Sequence, residues 1–253
     1  MALGQISLTA GMRQNLISLQ KTNDLMEITQ TRLSTGKKVN TALDDPVKYF
    51  AALGHTQRAN DLAYRKSDMN EAIQTIKAAS NGIEAISGLI ESAKSLAQSA
   101  LSIDACATAS SQNATDRSAL ADQFNEVMNQ IDSLAADSGY KGVNLLDSGS
   151  LTVEYDENGD SSSTITGFDA SASGLAIDDD TTGWLANADV TGAVADLDTA
   201  RDTLRTETKG LTTSLSTITT RLDFTKNMIN TLEDGAAKLT LADMNEEGAN
   251  MLM

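Results

Sequence analysis

The fold class is decided by residues 204–232, which read LRTETKGLTTSLSTITTRLDFTKNMINTL. Apolar side chains recur in this stretch at steps of three, four and seven residues, and they are Leu204, Leu211, Leu215, Ile218, Leu222, Ile229 and Leu232. An apolar period of 3.5 residues is typical of helices that bury a narrow stripe against other helices. The stretch therefore predicts a long helix within a helical bundle.

A second apolar seam lies near the start of the chain, where a helical pattern covers residues 8–33. Its members are Met12, Leu16, Leu19, Asn23, Met26, Gln30 and Leu33. The two polar members interrupt the seam, and polar residues at such positions select the partners of a helix at a cost in stability. Helical patterns at both ends, around a variable middle, indicate a protein that assembles rather than one that catalyses.

Two further helical patterns cover residues 47–101 and 115–136, and the pattern near the end extends over 190–239. Because the chain contains a single proline, Pro46, little interrupts these helices. Gly82 and Gly88 each weaken the second pattern by about 1 kcal/mol relative to alanine and allow a local bend. We expect these long helices to pack side by side as a rod. The residues predicted to pack the rod are Ile73, Ile76, Ile83, Ile90, Phe124, Ile131, Leu211, Leu215, Ile218, Leu222 and Ile229.

The middle of the chain has a different character. Leu151, Val153 and Tyr155 alternate with polar residues, which predicts a strand, and residues 156–160 (DENGD) predict a turn before a returning strand at 163–168. Between Asp137 and Gly192 there are eleven acidic side chains and one basic one. We interpret this acidic insert as a solvated surface.

Composition argues against several classes of function. The net charge is −16, and an acidic chain of this kind does not favour nucleic-acid binding. With one cysteine, Cys106, and one histidine, His55, the chain cannot build a Cys/His zinc cluster, and His55 lacks the partners of a catalytic triad. Residues 156–160 and 178–180 lack the ligand spacing of an EF-hand. We therefore expect no catalytic residue, no metal and no cofactor.

The sequence predicts neither a signal peptide nor a membrane span. The first twenty residues contain no apolar run of signal-peptide length, and the sequence has no 18-residue apolar stretch that would predict a membrane span. We expect no membrane insertion. The chain is expected to be either cytosolic or exported by a route that does not use a cleavable signal.

Three segments resemble bacterial flagellins. Residues 32–46 read RLSTGKKVNTALDDP and are similar to the family block R-L-S-[ST]-G-x-[KR]-[IV]-N-[ST]-A-x-D-[DN]. Residues 140–146 (YKGVNLL) are similar to F-N-G-x-x-L-L, and residues 242–247 (ADMNEE) are similar to A-D-x-x-x-E. In the family, the first of these segments joins a terminal helical arm to a helical rod. Its residues that carry the resemblance are Arg32, Ser34, Gly36, Asn40, Asp44, Asp45 and Pro46.

The resemblance implies a mainly α fold, namely an elongated helical rod or coiled-coil bundle with a small β-containing insert and a terminal helical arm. The implied segments are 1–44 for the N-terminal arm of the filament-core domain, 45–146 and 190–239 for the rod, 147–189 for a short solvent-facing insert, and 240–253 for the start of the C-terminal domain. In this family one more helix follows the A-D-x-x-x-E segment, and we expect it to be absent here.

The resemblance also implies function. It implies a structural subunit that self-assembles into the flagellar filament used for swimming, with the N-terminal seam as the self-assembly surface. The implied partners are other copies of the chain, other flagellins, hook-associated and cap proteins, and the type III export machinery with its chaperone. The implied location is the extracellular filament, reached without a cleavable signal peptide.

Two alternatives stay open at this point. The first is a hook–filament junction protein, a close structural relative that would be capped instead of polymerising indefinitely. The second is a filament protein whose insert binds a surface ligand, although 43 residues are too few to bury much of a core by themselves. Growth of long filaments from seeds would distinguish the first alternative from a filament subunit.

Overall fold

The computed structural model describes residues 9–104, 112–180 and 182–252. Within these residues the chain forms five helices and one antiparallel pair of strands, in the order α1 (Ala10–Thr35), α2 (Pro46–Leu101), α3 (Gln112–Asp137), β1 (Ser150–Glu154), β2 (Ser162–Thr166), α4 (Asn187–Thr240) and α5 (Met244–Leu252). The predicted mainly α fold with a small β insert is confirmed. The single cysteine, Cys106, is outside the described residues.

The ends of the helices follow local chemistry. Gly36 has a φ of 68° and donates its backbone N–H to the carbonyl of Arg32, so it closes α1 as a left-handed cap. Pro46 is the first residue of α2, where its missing N–H and fixed φ suit the first helical turn. The helix continues through Gly82 and Gly88 without a break.

The described residues divide into two compact units. We call residues 9–61 with 227–252 the terminal unit and residues 62–226, apart from those not described, the central unit. The predicted arm–rod boundaries at 44 and 239 stay predictions. Within the terminal unit the first turns of α2 pack beside the last turns of α4, with Ala52 and Leu53 lining the same cavity as Ala236 and Ala237.

The core of the central unit is formed by α2, α3, α4 and the insert. The part of α2 in this unit, residues 62–101, is about 60 Å long at the usual rise per residue. Among the predicted rod-packing residues, those buried in this core are Ile76, Ile83, Ile90, Phe124, Ile131, Leu211 and Ile218. Ile73, Leu215 and Leu222 are partly buried against it, whereas Ile229 belongs to the terminal unit.

The insert folds onto the core with one face. Its strands pair with Leu151 opposite Ile165 and Val153 opposite Ser163, and Val153 and Ile165 are buried because alternate residues of a strand point to one side. Trp184, at the end of the insert, is 1% exposed, and its ring centroid lies 5.0 Å from that of Phe124. One side of the segment therefore packs on the core.

Candidate self-assembly surface

Helix α1 presents its apolar side chains to solvent. The predicted self-assembly seam lies entirely on this helix, and its members Met12, Leu16, Leu19, Asn23, Met26 and Gln30 are exposed. Leu19 is 71% exposed, and Leu33, nearest the end of the helix, is half-buried. A helix with this many uncovered apolar groups is poorly stabilised by its own chain.

Exposed apolar side chains on α1 are not confined to the seam. Ile17, Leu25 and Ile28 are also exposed, at 47%, 62% and 46%. At 3.6 residues per turn they lie about 140–160° around the helix from the middle of the seam, on its opposite side. Helix α1 therefore exposes apolar side chains on both sides, and the seam pattern describes only one of them.

The C-terminal end of α1 is anchored to α5 by an ion pair. Arg32 Nη1 donates to Glu247 Oε1 at 3.0 Å, and Glu247 is 4% exposed. The second carboxylate oxygen of Glu247 is buried and has no hydrogen-bond partner among the described residues. The pair joins two of the segments that carry the family resemblance, the block at 32–46 and the segment at 242–247.

Backbone hydrogen bonds join the same two segments. The N–H of Lys38 donates to the carbonyl of Thr240 at 2.7 Å, and the N–H of Ala242 donates to the carbonyl of Gly36 at 3.0 Å. Lys37 and Leu241 form an isolated antiparallel bridge. The segment after α1 is therefore held against the end of α4, independently of side-chain identity.

The acidic residues of the block shape the connection into α2. Asp44 accepts hydrogen bonds from the N–H groups of Asn40 and Thr41 at 3.0 and 2.8 Å. The N–H of Thr41, followed by that of Asn40, holds the pKa of the Asp44 carboxyl below its ordinary value. Asp45 caps α2 by accepting from the N–H of Lys48 at 3.1 Å, which lowers the pKa of Asp45 in the same way.

The other block residues have simpler surroundings. Ser34 is exposed, Gly36 caps α1, and Asn40 contributes its backbone N–H to the Asp44 turn. Pro46 opens α2. The roles that the resemblance assigns to these residues in assembly stay predictions.

The third matched segment, residues 140–146, belongs to the central unit. Lys141 and Gly142 both have positive φ, 49° and 81°, and form a tight turn between Tyr140 and Val143. Glu71 on α2 accepts from the Tyr140 hydroxyl at 3.1 Å and pairs with Lys141 Nζ at 3.1 Å. The hydrogen bond from Lys141, followed by that from Tyr140, lowers the pKa of Glu71.

Asn144, in the same segment, caps the C-terminal end of α3 with its side chain. Its amide nitrogen donates to the carbonyl of Ala135 at 2.8 Å and to that of Ala136 at 3.0 Å, and its amide oxygen accepts from the N–H of Leu146. Leu145 and Leu146 are buried. The segment therefore attaches the insert to α2 and α3.

The described residues contain few groups that are arranged for catalysis or metal binding. No group of three or more His, Cys, Asp or Glu side chains in the described ranges is arranged to hold a metal ion. His55 is half-buried on α2, where its ring is near Gly235 of α4. None of the helices in the described part of the chain is long and apolar enough to cross a membrane.

Exposed large apolar side chains are concentrated in the terminal unit. Within the described residues, those of the central unit are Tyr64, Leu101 and Phe224. Those of the terminal unit are Met12, Leu16, Ile17, Leu19, Leu25, Met26, Ile28, Leu43, Val47, Phe50, Leu53, Leu241, Met244, Met251 and Leu252. Large exposed apolar side chains in such number favour a site of protein–protein contact in this unit.

Comparisons with known proteins find flagellins. Residues 6–150 match the family model of the bacterial flagellin N-terminal helical region. Flagellin FljM of Caulobacter vibrioides is 26% identical over 252 residues, which cover 99% of this chain and 89% of that protein. Flagellin FljO of the same organism is 27% identical with the same coverage. A crystal structure of Bacillus cereus flagellin superposes with a TM-score of 0.49 at 19% identity, covering 62% of this chain and 88% of that chain.

Proposed function

The chain belongs to the bacterial flagellin family and is a structural subunit of the flagellar filament, and we propose that it joins the filament through the apolar seam on α1. Self-assembly is the property that this family shares. The specific assignment of the seam to subunit contacts is our proposal. We also propose that residues 32–46 and 242–247 orient α1 for these contacts.

The uneven exposure of apolar side chains supports the assignment most directly. The central unit buries its large apolar residues around one core, whereas α1 leaves Met12, Leu16 and Leu19 in solvent. Burying one such side chain fully is worth about 1.5–3 kcal/mol. Association through α1 therefore gains free energy that the isolated chain does not obtain.

The physical form of the assembly follows from the position of the seam. A seam at one terminus that contacts a different surface of the next copy gives a heterologous interface, and such an interface produces an open helical filament unless the rotation closes a ring. We propose that the filament is a homopolymer that also accepts other flagellins. Its location is the extracellular flagellar filament.

We propose further partners by membership of the family. They are the hook-associated and cap proteins at the filament ends, and the type III export machinery with an export chaperone inside the cell. By the same family membership we propose export without a cleavable signal. We propose no catalytic activity, because the family is structural.

Seeded growth tests the proposed function. Purified chain is added to sheared filament fragments, and electron microscopy measures filament length over time. We expect long filaments, and we expect Leu16→Ser with Leu19→Ser to abolish growth while circular dichroism shows an unchanged folded core. Growth of the double variant at the normal rate would refute the role of the seam. Short capped particles from the unchanged chain would indicate a junction protein instead.

A further inference from the structure

The chain contains two Asn-Gly sequences, and the fold places them in different surroundings. Asn158 and Gly159 lie in the loop between β1 and β2, whereas Asn81 and Gly82 lie inside α2. Both asparagines are exposed. The two sites therefore share the same pair of residues and similar access to water, but they differ in the conformation of the main chain.

An Asn-Gly sequence can lose its side-chain amide without an enzyme. The main-chain nitrogen of the glycine attacks the side-chain carbonyl carbon of the asparagine, a carbon–nitrogen bond forms, and the amide group leaves as ammonia with the proton of the attacking nitrogen. Water then opens the resulting succinimide at one of its two carbonyl groups, which leaves aspartate or isoaspartate. Glycine favours the first step because it has no Cβ to obstruct the approach.

The loop that contains Asn158 is closed at its base and open at its tip. We call residues 156–160 the insert loop. Its base is closed by the N–H of Tyr155, which donates to the carbonyl of Ser161 at 2.8 Å. Within the described residues, neither Asn158 nor Gly159 forms a backbone–backbone hydrogen bond. The rotation that brings the side-chain carbonyl carbon of Asn158 to the nitrogen of Gly159 therefore breaks no bond of that kind.

Asn81 is held by its helix. Helical main chain has a ψ of about −42° and engages each N–H with the carbonyl four residues earlier, which keeps the nitrogen of Gly82 away from the side-chain carbonyl carbon of Asn81. Gly82 is also packed so closely that an added Cβ would clash with Ser138, whereas the nearest heavy atoms to a Cβ at Gly159 are 3.9 Å away, in Glu154. Helix α2 must therefore open locally before Asn81 reacts.

We propose that Asn158 is a site of spontaneous deamidation in the folded protein and that the fold protects Asn81. The co-reactant is water, and no enzyme is needed. Because ammonia is lost, the modified fraction of chains rises with the age of the protein. The inference goes beyond the proposed function and does not depend on it.

The product changes the exposed end of the insert. The insert loop already carries three acidic side chains and no basic one, and deamidation adds a fourth negative charge. Arg65 of α2 holds the base of the loop, since its Nε donates to the carbonyl of Asp156 at 3.1 Å and its Nη1 pairs with Glu154 at 2.7 Å. Isoaspartate also lengthens the main chain of the loop by one methylene group. Older chains are therefore marked by the charge of the loop and, in part, by its length.

Incubation in water labelled with heavy oxygen tests the site. The full-length folded chain is kept at mildly alkaline pH, and only amides hydrolysed during the incubation carry the label. Mass spectrometry of pepsin peptides measures the label, and fragmentation separates aspartate from isoaspartate. We expect label at residue 158 and at least about tenfold less at residue 81, because an opening free energy of about 1.4 kcal/mol for α2 already slows the reaction tenfold. In urea, where both sites are unfolded, we expect similar rates.

Matched variants assign the change in charge. During incubation the unchanged chain is expected to produce an acidic species that elutes from an anion-exchange column near the Asn158→Asp variant. Asn158→Gln should abolish this species, because a glutamine side chain would have to form a larger ring. Asn81→Gln should leave it unchanged. Circular dichroism checks that the variants are folded.

Two results would overturn the inference. One is equal labelling of the two asparagines in the folded chain, since the fold would then not select between them. The other is a folded chain without label at residue 158, whether or not the site reacts in urea. The measurement needs no filament, so these results leave the proposed function standing, and a failure of filament growth leaves the inference standing.

Discussion

Gly82 and Gly88 lie on the same helix, yet their surroundings differ. A Cβ atom added at Gly82 would come within 2.3 Å of Ser138 Oγ, 2.6 Å of Leu146 Cδ1 and 2.9 Å of Ser138 Cβ. A Cβ at Gly88 would meet nothing within 4 Å. The first glycine therefore allows the end of α3 and the segment at 140–146 to approach α2 closely, whereas the second only weakens the helix.

Alanine substitution should separate these two roles. Gly88→Ala is expected to raise the free energy of unfolding by about 0.5–1 kcal/mol, because alanine has the better helix propensity and restricts the unfolded chain. Gly82→Ala gains the same propensity but must displace Ser138 and Leu146, and overpacking of this kind costs about 1–3 kcal/mol. We expect a net loss of stability, measured by urea unfolding. Equal gains in the free energy of unfolding for both variants would show that the end of α3 moves away from α2 at little energetic cost.

At the scale of elements, α1 and α2 form for different reasons. Residues 62–101 of α2 place a continuous series of buried apolar side chains, including Ile76, Ile83 and Ile90, against two other helices. In α1 Thr29 is the one buried residue, and the helix is held by its caps, by α5 and by the Arg32–Glu247 pair. A helix whose apolar face is not packed is marginal in water, because nucleation is costly.

Hydrogen exchange should reveal this difference in the full-length protein. In the monomer we expect the amides of residues 10–27 to exchange many times faster than those of residues 69–97, since opening α1 costs little packing free energy. In the filament we expect α1 to become protected. Mass spectrometry after pepsin digestion measures both states. Strong protection of α1 in the monomer would contradict the view that its partner is another subunit.

At the scale of the whole molecule, several carboxylates link stability to pH. Glu71 has an ordinary pKa of 4.5, and Asp44 and Asp45 have ordinary values of 3.8; in the folded protein hydrogen bonds lower the pKa of all three. The pKa of Asp198 is lowered by the hydrogen bond from Lys94. A carboxyl whose pKa is lower in the folded state stabilises it above the unfolded pKa. That contribution is lost as the pH falls through the lowered value.

We therefore expect the free energy of unfolding to be level near neutral pH and to fall below the ordinary carboxyl values of 4.5 and 3.8. Urea unfolding at a series of pH values measures it. Glu71→Gln should flatten part of this fall, because it removes one linked proton. Glu84→Gln, an exposed site on the same helix, serves as the matched control. A stability that rises on acidification would contradict these pKa directions.

Much of the fold was predictable, because helices leave a repeating trace in the sequence. The seam from Leu204 to Leu232 and the single proline predicted the long helices, and the alternation from Leu151 to Tyr155 predicted a strand. Ile17, Leu25 and Ile28, which are exposed on the side of α1 opposite the seam, were not predicted to be exposed. A period describes which residues share a face, but it does not say which face another helix covers.

The sequence by itself determined the class of protein, the positions of the helices and the family, because periodicity and motifs are local properties of the chain. Tertiary structure alone decided which apolar residues stay in solvent, that Arg32 meets Glu247, and that the insert packs Trp184 on Phe124. These contacts join residues far apart in the chain. Burial depends on what the rest of the chain covers, and that is set only when the helices pack together.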